Sequence, residues 1–359
     1  MNKGVKITLV VSLCCFFLGI MIVGGCAVAA RAMGDAFRWP NDGDYNWNGN
    51  RDRGYEGAGV QSMDLETVNR VELNLAGEPV SIEIGGEKPA LEWRQARDNQ
   101  YRVRQDANGD LFFSREESIR NNWGIFWRRG FYFNFDGLRD LLRGDWPSWN
   151  FIEIESGRSR DVVLTLPEGH PAIQKLTINA VSSTVAITGL TIDRMEADGM
   201  DIRLELADCA IDRLGFNSVN GKAILTGGGA REIAADGMDI RLELADCAID
   251  RLAFNSVKGS AVLTGGEARK ITADGMDAKV TAHRAAGLED VSLSGVNVRF
   301  EGTLLGESAD YRFSADGLNA KMTIGGLTAN GGNTVGGGSR HISVEGLNAS
   351  LKVTFEDAD

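Results

Sequence analysis

Asp201, Arg203 and Glu205 recur 38 residues later as Asp239, Arg241 and Glu243. Charged residues alternating with apolar ones line up on one side of a strand, where they could form a strip for a cation or a glycan. Cleaving a glycan requires carboxylates or basic residues placed irregularly in one groove. These carboxylates repeat as regularly as the apolar residues between them, so the favoured reading is a solvated sheet face whose mixed charges keep it soluble. His170, His283 and His341 are scattered, have no cysteine partner, and lack metal-ligand spacing. The triplets Gly227-Gly228-Gly229 and Gly336-Gly337-Gly338 do not lie between a strand and a helix of a βαβ unit, as a phosphate loop must. There is no Gly-x-Ser-x-Gly elbow and no calcium-binding nonapeptide. The expectation is a protein without catalytic residues, cofactor or metal site.

Two other stretches carry chemical potential. Between Ser118 and Asn150, Trp123, Trp127, Tyr132, Trp146 and Trp149 interleave with Arg128, Arg129, Arg139 and Arg143. Aromatic faces stack on sugars and arginines pair with anions, which makes these five aromatics a candidate ligand platform. The plainer alternative is favoured, in which the insertion buries its aromatics against a neighbouring sheet. The second stretch is Val23-Gly24-Gly25-Cys26, which is similar to a lipobox and makes Cys26 a candidate lipid-attachment site.

Lys3 and Lys6 precede an apolar run from Ile7 to Ala30, about the ~20 residues that cross a bilayer as a helix. Three readings fit residues 1–31: an uncleaved signal anchor, taken first; a lipoprotein signal ending at Cys26; and a cleaved signal peptide with Ala27-Val28-Ala29 as its small-residue site. All three export the remaining chain, leaving it on the outer side of the cell membrane as a single-pass or lipid-anchored protein. Residues 32–61, rich in Gly, Asn and Asp, read as a flexible spacer. The formal charge of −12 excludes a nucleic-acid partner, because phosphate binding needs a basic face.

The elements that must position these residues are strands. Over 62–170 the period is two, as in Val71, Leu73 and Leu75 or Val80, Ile82 and Ile84, separated by Gly77-Glu78-Pro79. Short strands with turns at Asp98-Asn99 and Asn108-Gly109 predict an antiparallel meander, interrupted by the insertion at 118–150. From 171 to 355 the pattern is a repeat. Ala197–Ala234 and Ala235–Thr272 agree at 31 of 38 positions. A step of 19 aligns Leu176, Met195, Leu214, Ile233, Leu252 and Ile271, and the series continues at Val291, Phe313 and Ile342.

Three residues past each of these comes a polar pair such as Asp198-Gly199 or Asn217-Ser218, then an apolar residue, then renewed alternation. Strand, corner, strand at a near-constant spacing predicts an all-β fold. It is a right-handed parallel β-solenoid of about nine ~19-residue coils, preceded by the short-stranded region and the N-terminal transmembrane or signal helix. The 38-residue unit then reflects alternating bulk: Phe216 accompanies Gly221 and Ala223, whereas Ala235 accompanies Ile240 and Leu242.

Four finer expectations follow. The corner glycines supply φ > 0. Interleaved Asn relieves stacked Asp along the corner. Cys209 and Cys247, two coils apart, are too distant for a disulfide. Gly325 to Arg340 forms a long mobile loop, and the last strand, Leu347 to Phe355, leaves an open edge.

An exported anchor, short strands, the segment Leu166-Pro167-Glu168-Gly169, and coils with a polar corner and glycine together resemble the bacterial "putative adhesin" domain family. Its members are cell-envelope β-solenoids of unknown function. The resemblance spans roughly Leu65 to Val353; the aromatic insertion departs from it. It implies a non-enzymatic binding, adhesion or scaffolding module, tethered to the membrane by its N-terminal segment, with an envelope protein or glycan as partner. The alternatives are an envelope polysaccharide lyase or hydrolase, and a self-assembling structural protein.

Overall fold

The computed structural model describes residues 59–95, 101–115, 162–330, 332 and 334–356. The segment expected to form the N-terminal helix, most of the spacer, Cys26 and the aromatic insertion lie outside the described residues. The regular elements of the described chain are all strands apart from one 3-10 turn, Ser308–Asp310. Its strands are β1 (Gly59–Asp64), β2 (Arg70–Ala76), β3 (Val80–Ile84), β4 (Ala90–Gln95), β5 (Tyr101–Gln105), β6 (Asp110–Arg115), β7 (Val162–Leu166), β8 (Lys175–Val181) and β9 (Ser183–Thr188). Long strands β10 (Thr191–Ala207), β11 (Ala210–Thr226), β12 (Gly229–Ala245), β13 (Ala248–Thr264), β14 (Glu267–Ala285) and β15 (Asp290–Leu305) follow. The last are β16 (Tyr311–Asp316), β17 (Lys321–Ile324), β18 (Leu327–Asn330), β19 (Thr334–Val335) and β20 (Arg340–Glu356).

The 19-residue step is the register of a solenoid-like stack. Met195 pairs with Leu214, Leu214 with Ile233, Ile233 with Leu252 and Leu252 with Ile271, all in parallel. In each coil two runs of alternating burial flank an exposed corner, because the inward residues of both runs must reach one core. In β10 the inward set is Ile192, Met195, Ala197, Ile202, Leu204 and Leu206, none more than 3 % exposed. The alternation in bulk is present as expected. Ala197, Phe216, Ala235, Phe254 and Ala273 form one buried column. A side chain at Gly221 would meet the Phe216 ring 2.7 Å away, and one at Gly259 would meet Phe254 at the same distance.

Beyond the regular coils the chain order and the spatial order part company, and here the structure corrects the sequence reading. The antiparallel meander is replaced by two further coils. Strands β2 and β3 stack in parallel on β8 and β9, and β6 and β7 stack in parallel on β2 and β3. Antiparallel pairing is confined to the outside, where β5 covers β6, β4 covers β7, and β1 pairs with β4.

The other end mirrors this arrangement. The last strand, β20, is not the open edge: it pairs in parallel with β15 on one side and with β16 and β17 on the other. The expected mobile loop instead contributes β18 and β19, which pair antiparallel with β17 and β16. At both ends the outer coil is thus followed by antiparallel strands, which use its exposed hydrogen-bonding edge as short, twisted caps do in sheet proteins.

Candidate interaction surfaces

The corner after each first run is where backbone chemistry is tightest. Gly199, Gly237 and Gly275 do not have positive φ, contrary to the expectation. They are glycine because a Cβ would stand 1.8–2.0 Å from the carbonyl oxygen of Ala180, Ser218 or Ser256 in the preceding coil. Among the corners Gly295 and Gly317 do have positive φ, and it also marks the turn between coils, at Asp208, Asp246, Gly227, Gly228, Gly265 and Gly266. The alternate corners carry Ser218 and Ser256, both buried, and Ser218 Oγ donates to the Met200 carbonyl at 2.8 Å.

Two polar ladders run from coil to coil beside this corner. In the first, Asn217 Nδ2 donates to Asp198 Oδ1 at 2.6 Å, and Ser294 Oγ donates to Asp274 Oδ1 at 3.1 Å. The amide thus relieves the stacked carboxylate as expected. In the second, Asn220 donates to Asp201 at 2.8 Å and Asn297 to Asp277 at 2.5 Å. Asn348 continues it to Asn297 at 2.6 Å, and Asn319 to Asn348 at 2.8 Å.

Between the ladders stands a column of apolar side chains that face outward: Met200, Val219, Met238, Val257, Met276, Leu347 and Leu318, 39–83 % exposed, with half-buried Val296 in the gap. They account for most of the large apolar side chains exposed among the described residues. A continuous exposed apolar row of this length is the kind of surface soluble proteins keep for partners. The sequence shows an apolar residue after every corner, but its outward direction depends on the bend and was not legible.

Most of the charged strip singled out in the sequence is self-neutralised, Asp201 meeting only the uncharged donors Asn220 and Ser182. Arg203 pairs with Glu205 at 2.6 Å, and Glu243 pairs with both Arg241 and Lys222 at 2.9 Å. Elsewhere Arg231 forks onto Asp212, and Glu301 takes Arg299 at 3.0 Å and Lys352 at 3.2 Å. Hydrogen bonds from Lys175, Arg231 and Lys352 hold Glu196, Asp212 and Glu301 below the usual carboxylate range. Such groups stay ionised, whereas a general acid needs its pKa raised. The three histidines fall on separate segments, and among the described residues no three His, Cys, Asp or Glu side chains converge on one point.

Cys209 and Cys247 occupy matching turns two coils apart and are both free and buried, in agreement with the distance argument. Their thiols face the Ala207 and Ala245 carbonyls at 3.3 and 3.1 Å. Burial raises both pKa values, that of Cys247 to about 11. The thiolate is the reactive form. Iodoacetamide at pH 8 is therefore expected to leave both unlabelled in the native protein and to label both in denaturant. Peptide mass spectrometry reads this directly, and a native Cys209–Cys247 disulfide would break the coil register.

Neither Cys26 nor any of Trp123, Trp127, Tyr132, Trp146 and Trp149 lies within the described residues. No family model matches the sequence, and neither does any curated protein. Among solved structures the chain is similar to a putative cell adhesion protein of Clostridium sporogenes, at 10 % identity and a TM-score of 0.21 over 68 % of this chain and 100 % of that one. It is also similar to a putative adhesin of Bacteroides fragilis, at 16 % identity and a TM-score of 0.40 over 70 % of this chain and 97 % of that one.

Proposed function

We propose that this chain is a right-handed β-solenoid binding module, non-enzymatic, tethered to the outer side of the cell membrane by its N-terminal segment. The observation that carries this reading is the Met/Val/Leu ridge, which we take as the docking edge for another protein. Its rims decide the chemistry of that partner. Asp198, Asp236 and Asp274 stand on one side and Asp201, Asp239 and Asp277 on the other, alternating with Asn217 and Asn255 and with Asn220 and Lys258. Lys258 pairs with Asp239 at 3.2 Å, and both rims remain net acidic. Facing acidic rims disfavour a second copy of this chain, and they repel an anionic lipid surface. An apolar strip flanked by Lys and Arg satisfies both the ridge and its rims, and electrostatic matching of this kind sets specificity and association rate. The ion pairs at Glu205, Glu243 and Glu301 keep these carboxylates in regular, paired rows, which supports a binding role over a polysaccharide lyase or hydrolase.

Photo-crosslinking in living cells tests the assignment. A photoreactive residue at position 238 is expected to give one envelope-protein adduct, mapping to an apolar segment with basic flanks. The same group at position 262, away from the ridge, is expected to give none. Adducts to lipid, to a second copy, or equally from both positions would overturn the reading.

A further inference from the structure

The charge pattern of the outer face is broken at one place. The cationic column reads Arg203, Lys222, Arg241, Ser260, Lys279, Arg299 and Ser350, in register from β10 to β20. The acidic column beside it reads Glu205, Ile224, Glu243, Val262, Thr281 and Glu301. Every cation of the first column has a carboxylate except Lys279, because the two successive rungs Val262 and Thr281 carry none. Among the described residues Lys279 makes no ion pair and no side-chain hydrogen bond, and it is exposed. Ser260, standing where the coil before has Arg241, leaves a depression of about 410 Å³ beside it. Lys258, Lys279 and Arg299 line this depression together with the uncharged donors Ser260, Asn297 and Ser350.

We infer that this depression, which adjoins the second ladder beside the apolar ridge, binds an acidic glycan. The sugar carboxylates meet Lys279 and Arg299, and the hydroxyls meet Asn297, Ser260 and Ser350. Lys279 and Arg299 stand on adjacent rungs, ~4.8 Å apart, so one stretch of a uronic-acid polymer can meet both. The flanking amide and hydroxyls match sugar hydroxyls and have no counterpart on a bare phosphate chain. Asp277, also in the depression, accepts from Asn297 at 2.5 Å, which orients that amide. Arg299 keeps Glu301 at 3.0 Å and Lys258 keeps Asp239 at 3.2 Å, so Lys279 is the free charge on which recognition turns.

Biolayer interferometry with immobilised polygalacturonate, dextran and polyphosphate tests this on the full chain. Polygalacturonate is expected to bind, dextran not to bind, and polyphosphate to bind at least tenfold more weakly. Lys279→Gln is expected to weaken polygalacturonate binding about fivefold, the size of one exposed charge contact. Arg241→Gln, two coils away and outside the depression, is expected to leave it unchanged, as is Met238→Glu on the ridge. Absence of polygalacturonate binding, equal binding of polyphosphate, or equal loss in Lys279→Gln and Arg241→Gln would each overturn the inference. The ridge is tested by its own crosslinks at position 238, in a coil outside the depression.

Discussion

Gly237→Ala is expected to cost more than about 4 kcal/mol, within the range reserved for changes that the fold cannot absorb. The reason is purely geometric. A methyl group at this position would stand 1.8 Å from the Ser218 carbonyl oxygen and 2.9 Å from Ile240 Cδ1. The first obstacle is backbone, fixed by the parallel ladder between β11 and β12. Relief requires the two coils to separate at the corner, which breaks ladder hydrogen bonds and exposes the core between Ala235 and Phe216. Gly215 supplies the control. The nearest atoms to a Cβ there are 3.8 Å away, so Gly215→Ala is expected to be neutral or to stabilise by about 0.4–1 kcal/mol through the unfolded chain. Guanidinium denaturation of the two variants separates the cases, and a Gly237→Ala protein with unchanged midpoint would refute the steric account.

Phe216→Ala is the second large effect, expected at roughly 3–5 kcal/mol. Phe216 is fully buried, and its ring fills the space that Gly221 leaves open. The coils on either side carry Ala197 and Ala235 at the same level, so no neighbouring side chain can move in to close the void. Adding Ala223→Leu restores bulk from the opposite wall, where Leu204 and Leu242 already stack on it, and is expected to recover part of the loss. The coupling is measured by comparing the double variant with the sum of the singles. If Ala223→Leu is equally harmful in both backgrounds, the alternating-bulk account of the 38-residue unit fails.

The regular coils were legible because one periodic signal specifies both face and partner. Leu176, Met195 and Leu214 repeat at a constant step, and in a parallel stack that step is the register. The alternation of Phe216 with Ala235 was legible for the same reason. The ends were not. Val71, Leu73 and Leu75 alternate as any half-buried strand does, and alternation names a face without naming a neighbour. That β2 lies against β8, 105 residues on, or that β20 slips between β15 and β16, leaves no mark in the local pattern. The corner glycines were identified, and positive φ holds at Gly295 and Gly317, but at Gly199, Gly237 and Gly275 the cause is close approach: Asp-Gly reads equally as either, and only the stacked carbonyl tells them apart. Lys279 escaped notice because its distinction is a missing partner, which appears only once the columns are aligned.

The tucked position of β20 has a mechanical consequence. Were the last strand at the rim, a pull on the C-terminus would peel it off one ladder, rung by rung. Held as it is between β15 and the pair β16 and β17, it must tear from two ladders at once. The N-terminal side is built alike, with β2 and β3 clasped between β6 with β7 and β8 with β9. Forced unfolding is governed by the barrier to rupture rather than by equilibrium stability. On the N-terminal side β1 pairs with β4 alone and yields first, after which tension on β2 and β3, as on β20, is shared by two seams before any coil lets go.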